Sequence, residues 1–154
     1  MPKIIISACL CGHICRYDGA KLEHPRLAAP VASRLEALAA TGLAVPVCPE
    51  VLGGLPTPRA PCELIRGRAR TADGKDLTAM FMAGAARVLE IAVAHGIRTA
   101  ILKERSPSCA TSHIYDGSFS GRLILGLGLT AALLQQHGLT LFNENNVPQN
   151  LLRI

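Results

Sequence analysis

Residues 3–9 read Lys3-Ile4-Ile5-Ile6-Ser7-Ala8-Cys9. Three consecutive isoleucines without polar alternation have the composition of a strand buried on both faces, as in parallel sheets covered by helices on each side. Cys9 stands where the run ends. Two later runs repeat the form: Leu43 to Val47 ends at Cys48-Pro49-Glu50, and Arg98 to Leu102 leads into Lys103-Glu104-Arg105-Ser106-Pro107-Ser108-Cys109. The segments between them carry helical spacing. From Pro30 to Thr41, Val31, Leu35 and Leu38 recur at steps of four and three, with Pro30 at a first helical position and Gly42 just past the end. From Asp76 to His95, Leu77, Phe81, Ala85, Val88 and Ala92 share one face, and Gly96 supplies the stop. A last helix around Leu129 to Gln136, closed by Gly138, precedes a final strand at Leu139 to Phe142. Strands alternating with helices predict an α/β fold: a single Rossmann-like domain over residues 1–154, with a mostly parallel sheet, right-handed crossovers and helices on both faces.

The same alternation singles out three cysteines. In parallel sheets, ligands bind outside the carboxyl ends of the strands. Cys9, Cys48 and Cys109 each follow such an end, so this fold would bring residues far apart in the chain to one edge of the sheet. Cys15, in the first loop, could approach the same place as a fourth or alternative ligand, whereas Cys11 and Cys62 read as packing or loop residues. Three convergent thiolates can hold a metal. The paired Cys-x-x-Cys knuckles usual for structural zinc are missing, while three separated cysteines suit a [4Fe–4S] cluster with one iron not bound by protein, where a substrate atom could bind. The plainer alternative is a set of ordinary buried thiols. Glu50, just beyond Cys48, could act as general acid or base, or be only a helix-capping or surface residue. Ser106, before a proline in an irregular loop, could orient substrate or water, or serve only a turn.

The remaining segments carry weaker signals. Gly53 to Arg59, rich in Gly and Pro, is a loop. Glu63 to Arg70 suggests a short ribbon turning near Gly67, whose Arg66, Arg68 and Arg70 form a solvated edge or, alternatively, a phosphate or RNA contact. A loop holds Tyr115-Asp116-Gly117. His95 and His137 fall in the last turns of helices, and His13, His24 and His113 in loops. The run Leu125-Gly126-Leu127-Gly128-Leu129 could offer backbone N–H groups to an anion, although it lacks a full dinucleotide fingerprint.

Of the 154 residues, 49% are hydrophobic and 18% charged, a balance that excludes intrinsic disorder. No uninterrupted apolar stretch of about 18 residues is present to span a bilayer, and the apolar start is broken too soon for a signal peptide. The expectation is a cytoplasmic protein without a membrane partner, whose six cysteines serve as ligands, catalytic groups or free thiols rather than disulfides. A formal net charge of +5 permits RNA without requiring it. Two Tyr, three Phe and no Trp leave little for an aromatic nucleic-acid platform.

Taken together, Ser7-Ala8-Cys9-Leu10, Cys15-Arg16-Tyr17-Asp18-Gly19, Val45-Pro46-Val47-Cys48-Pro49-Glu50-Val51-Leu52-Gly53-Gly54-Leu55, Leu102-Lys103-Glu104-Arg105-Ser106-Pro107-Ser108-Cys109 and Ile114-Tyr115-Asp116-Gly117 resemble the thiouracil desulfidase family, in order and over nearly the whole chain. The resemblance implies a small cytoplasmic α/β enzyme that holds an oxygen-sensitive [4Fe–4S] cluster through three cysteines and removes sulfur from thiolated nucleobases such as 2- or 4-thiouracil. Carried over position by position, it implies Cys9, Cys48 and Cys109 as cluster ligands, and Glu50 and Ser106 as catalytic residues. The accompanying hypothesis is a non-redox hydrolysis at the open iron, giving a carbonyl and hydrosulfide. Cys11 and Cys62 depart from the family pattern, as does Leu127, which stands where an acid is expected. Alternatives are thiouridine in tRNA as substrate, a non-catalytic zinc or RNA-binding protein, and a thiol redox sensor built on pairs such as Cys11 and Cys15.

Overall fold

A computed structural model describes residues 2–20 and 29–153; His24 lies outside them. The isoleucine run forms β1 (Ile4–Ser7) and passes into a 3₁₀ turn at Ala8–Cys11. There follow α1 (Ala29–Ala40), β2 (Ala44–Val47), α2 (Pro49–Leu52), β3 (Cys62–Ile65), β4 (Arg68–Thr71), α3 (Thr78–His95), β5 (Thr99–Leu102), β6 (His113–Tyr115), β7 (Leu123–Leu125), α4 (Leu129–Gln136) and β8 (Thr140–Asn143). Four strands form a wholly parallel sheet in the order β2-β1-β5-β8. The chain first steps from β1 outward to β2, then crosses back to β5 on the other side of β1. The strand order therefore reverses between β1 and β5, which makes the carboxyl ends of these strands a switch point where a cleft opens.

Period-two geometry sends neighbouring side chains of a strand to opposite faces, so a sheet covered on both sides needs apolar residues at every position. The isoleucines divide accordingly. Ile4 and Ile6 pack with Leu35 and Leu38 of α1, while Ile5 packs with Val88 and Ala92 of α3 and Ala131 and Leu134 of α4. All three are at most 1% exposed, so each contributes about 2 kcal/mol of transfer free energy.

Helix α3 buries the expected stripe of Phe81, Ala85, Val88 and Ala92. It starts at Thr78 rather than Asp76, because the Asp76 Oδ1 accepts the Thr78 N–H (3.0 Å) and the Thr78 hydroxyl accepts the Ala69 N–H (2.9 Å), tying the helix start to β4. By length and apolarity alone α3 could cross a bilayer, but its apolar stripe lies inside the fold and Arg87 pairs with Glu90 on its outer side (3.2 Å). Where α2 meets α3, backbone touches backbone: a Cβ on Gly84 would lie 1.8 Å from the Pro49 carbonyl oxygen, and one on Gly53 would lie 2.0 Å from that of Met80.

The ribbon expected near Gly67 is the antiparallel pair β3-β4, and Arg68 and Arg70 on it face Asp76 (2.9 and 3.8 Å) as a solvated edge. A helical turn, α2, follows Cys48 directly. Two expectations need correction. Residues 113–125 form an antiparallel hairpin, β6-β7, so His113 lies in a strand rather than a loop. The glycine run before α4 offers no anion site: the N–H groups of Gly128, Leu129 and Thr130 donate to the carbonyls of Ala110, Pro107 and Ser108 (2.9, 2.9 and 2.8 Å). The start of α4 thus grips the loop that carries Cys109.

Candidate active site

At the carboxyl ends of β1, β2 and β5 lies a cavity of about 390 Å³, within the usual size range for small-molecule sites. Cys9 reaches it from the 3₁₀ turn after β1, Cys48 from the end of β2, and Cys109 from the loop after β5. Cys15, Glu50 and Ser106 border the same space. Each of the residues expected to converge does so. Cys62, expected as a bystander, also borders the cavity from β3. Cys11 points away, packed under α1 with its thiol 3.9 Å from the Leu35 carbonyl.

The thiols sense one another. Burial pushes the Cys109 thiol up, and the charges of Cys9 and Cys48 push it further against the opposing Ser7 hydroxyl. Burial likewise raises Cys9 to about 12, opposed by Lys103 and reinforced by Cys48. Cys48 moves the other way, to about 6, because Cys15 hydrogen-bonds to its sulfur, and the Val51 N–H adds to this against the effect of burial. The same contact raises the Cys15 thiol. Buried thiols of this kind become thiolates when a cationic centre compensates them. Among the described residues, no three His, Cys, Asp or Glu side chains are grouped to share one metal ion. Three thiol ligands around one cavity are the donor type of an iron–sulfur cluster, and they lack the fourth ligand of a closed structural zinc site.

Glu50 is held at both oxygens. Its Oε1 accepts from Arg59 Nε (3.0 Å) and its Oε2 from the Ser108 hydroxyl (3.4 Å). Arg59, whose side chain is 6% exposed, also donates to the carbonyls of Cys15 (2.9 Å) and Pro56 (3.0 Å), joining α2 to the Cys15 loop. The plain alternatives for Glu50, a surface or capping role, do not describe this arrangement. Ser106 Oγ accepts the N–H groups of Ser108 (3.1 Å) and Cys109 (3.0 Å). Both its lone pairs are occupied, which leaves its O–H free to donate.

The sequence offered no sign of Arg59, which lies in a Pro-rich loop, or of the part played by Glu104. The Glu104 side chain is buried, with Oε1 accepting the N–H groups of Thr111, Ser112 and His113 (each 3.1 Å). Its Oε2 accepts from the Ser112 hydroxyl (2.8 Å) and Asn143 Nδ2 (2.7 Å). Glu144 in turn accepts the Glu104 N–H (2.7 Å) and pairs with Lys103 (3.0 Å). Between this buried network and the start of α4, the segment carrying Ser106 and Cys109 is fixed on both sides.

A sequence model of the 2-thiouracil desulfurase family matches residues 4–146. The chain is 40% identical to the uncharacterized protein YbbK of Bacillus subtilis strain 168, over 94% of this chain and 97% of that protein. Among solved structures, the [4Fe–4S]-dependent thiouracil desulfidase TudS superposes with a TM-score of 0.88 at 45% identity, covering 99% of this chain and 97% of that one. With a family match that takes in every strand of the parallel sheet and all three convergent cysteines, the chain belongs to the 2-thiouracil desulfurase family.

Proposed function

We propose that this protein removes sulfur from a thiolated pyrimidine base such as 2- or 4-thiouracil, leaving a carbonyl and releasing hydrosulfide. The observation that supports this reading is the meeting of Cys9, Cys48, Cys109, Glu50 and Ser106 around one cavity at the switch point of the sheet, in a member of this family. Cys9, Cys48 and Cys109 would hold a [4Fe–4S] cluster, leaving one iron not bound by protein. When bound, the cluster supplies a Lewis acid that polarises the carbon–sulfur bond.

The chain's own residues do the rest. Glu50, oriented by Arg59 and Ser108, takes a proton from the water that attacks the ring carbon. Ser106, its oxygen saturated by two N–H groups, donates a hydrogen bond to an acceptor on the ring, which holds the carbon in place for attack. The exchange is redox-neutral: the oxygen of water becomes the carbonyl oxygen, and its two protons balance the departing sulfur as hydrosulfide plus a proton. Anaerobic reconstitution with iron and sulfide, followed by incubation with 2- and 4-thiouracil, tests the reading. Sulfide and uracil should appear in equal amounts, and an intact cluster with no sulfide release refutes it.

A further inference from the structure

Phe119 lies in a conformation that its side chain disfavours. Three non-glycine residues among those described have positive φ: Arg66 at +50°, Arg105 at +67° and Phe119 at +56°. Arg66 belongs to the turn between β3 and β4, but Arg105 and Phe119 both line the cavity. Left-handed backbone at a bulky residue persists only where the surroundings enforce it, and such strain gathers at functional sites.

Two anchors enforce it here. Glu63 Oε1, from β3, accepts the N–H groups of Gly117 and Phe119, each at 3.0 Å. Gly117 packs so closely on the ribbon that a Cβ there would lie 2.2 Å from Ile65 Cγ1. For folding alone, glycine would suit position 119 better. Phe119 instead lines the cavity. Two Tyr and three Phe are all the aromatic residues this chain has, and three of these five border this cavity: Tyr17 from the first loop, and Tyr115 and Phe119 from the β6-β7 hairpin. A buried thiol-rich wall would be lined adequately by Leu or Val; rings gathered there match a flat, π-bearing ligand.

We propose that Phe119 is the ring-binding residue that gives this site its preference for a planar thiolated heterocycle, and that Glu63 positions it. The proposal rests on the desulfidase reading for the nature of the ligand. Stacking of one base on one aromatic face corresponds to a change of roughly 5- to 150-fold in affinity.

The test uses the cluster-loaded protein under anaerobic conditions, with Phe119→Gly and Phe119→Tyr beside the wild type. For Phe119→Gly, iron content should equal that of the wild type and the melting temperature should hold or rise as the strain is relieved. Its KM for thiouracil should rise about 10-fold or more, and its dissociation constant for uracil, measured by calorimetry, should rise in parallel. Phe119→Tyr should restore both constants to within about threefold of wild type, and Glu63→Gln should raise KM with iron content retained. An unchanged KM and uracil affinity in Phe119→Gly overturns the proposal, as does a fall in melting temperature with both constants unaltered. If the wild type binds uracil but releases no sulfide from thiouracil, the desulfidase reading fails while the uracil measurement still decides the role of Phe119. Binding of neither ring by the wild type overturns both.

Discussion

Gly84→Ala should separate the positioning of the active site from the stability of the fold. The added Cβ would lie 1.8 Å from the Pro49 carbonyl oxygen and 3.2 Å from the Gly53 nitrogen. Carbon and oxygen need roughly 3.3 Å, so α2 and α3 must move apart by about 1.5 Å. The eighteen-residue α3 is packed on the sheet along its length, whereas α2 has four residues on the rim, so α2 gives way. Overpacking costs about 1–3 kcal/mol, and replacing glycine by alanine inside a helix returns about 1 kcal/mol. The net loss is then on the order of 2 kcal/mol, a fall in melting temperature of about 4–8 °C. Catalysis has no such compensation. Helix α2 carries Glu50 and begins directly after Cys48, and a shift of about 1 Å at a reacting group lowers the rate by about 100-fold. Anaerobic sulfide release, iron content and thermal melts on the same preparation provide the assay. A Gly84→Ala protein whose kcat/KM stays within about threefold of wild type, despite a lowered melting temperature, would show that the α2-α3 contact does not place Glu50.

Other substitutions bear on neighbouring parts of the site. Arg59→Ala should lower kcat by about 10- to 100-fold while iron content is kept, since Glu50 loses its orienting partner but no sulfur moves; loss of iron instead would contradict this. Alanine at Cys9, Cys48 or Cys109 should each abolish the iron–sulfur absorption after reconstitution, whereas Cys11→Ala should keep it and cost about 1–2 kcal/mol by denaturant unfolding. Burial alone would raise the Glu104 pKa, but the N–H groups of His113 and Ser112 and the Ser112 hydroxyl outweigh it and hold the carboxyl below the usual range. Its stabilising contribution is therefore present above the unfolded-state pKa of about 4.3 and is lost as pH falls through the lower folded value. Glu104→Gln should cost about 3 kcal/mol at pH 7 and flatten the dependence of the urea midpoint on pH between 7 and 3; parallel curves for variant and wild type would refute this account.

Much of this was open to reading before any coordinates. The run Ile4-Ile5-Ile6 required helices on both faces of a sheet, because alternate side chains point opposite ways, and the structure divides it between α1 on one side and α3 and α4 on the other. The placement of Cys9, Cys48 and Cys109 at strand ends followed from the same periodicity, since the ends of parallel strands share one edge. Helix α4 at Leu129–Gln136 agrees with its spacing and glycine stop. The hairpin β6-β7 is not legible in the sequence, because its strands are three residues each and Leu125 is largely exposed, which leaves no alternation along them.

Apolar period, caps and turn residues act within a few positions along the chain, so the sequence by itself determined the strands of the parallel sheet, the three long helices, their order and the cysteines at the strand ends. Only the tertiary structure decided what holds those groups: Arg59 on Glu50, Asn143 on Glu104, the start of α4 on the Ser106–Cys109 loop and Glu63 on Phe119. The first of these pairs is nine positions apart, Asn143 and Glu104 are 39 apart, and Glu63 and Phe119 are 56 apart. A hydrogen-bond donor or acceptor in a polar loop has many candidate partners of equal chemistry, and only the crossing of the chain over the sheet selects one of them.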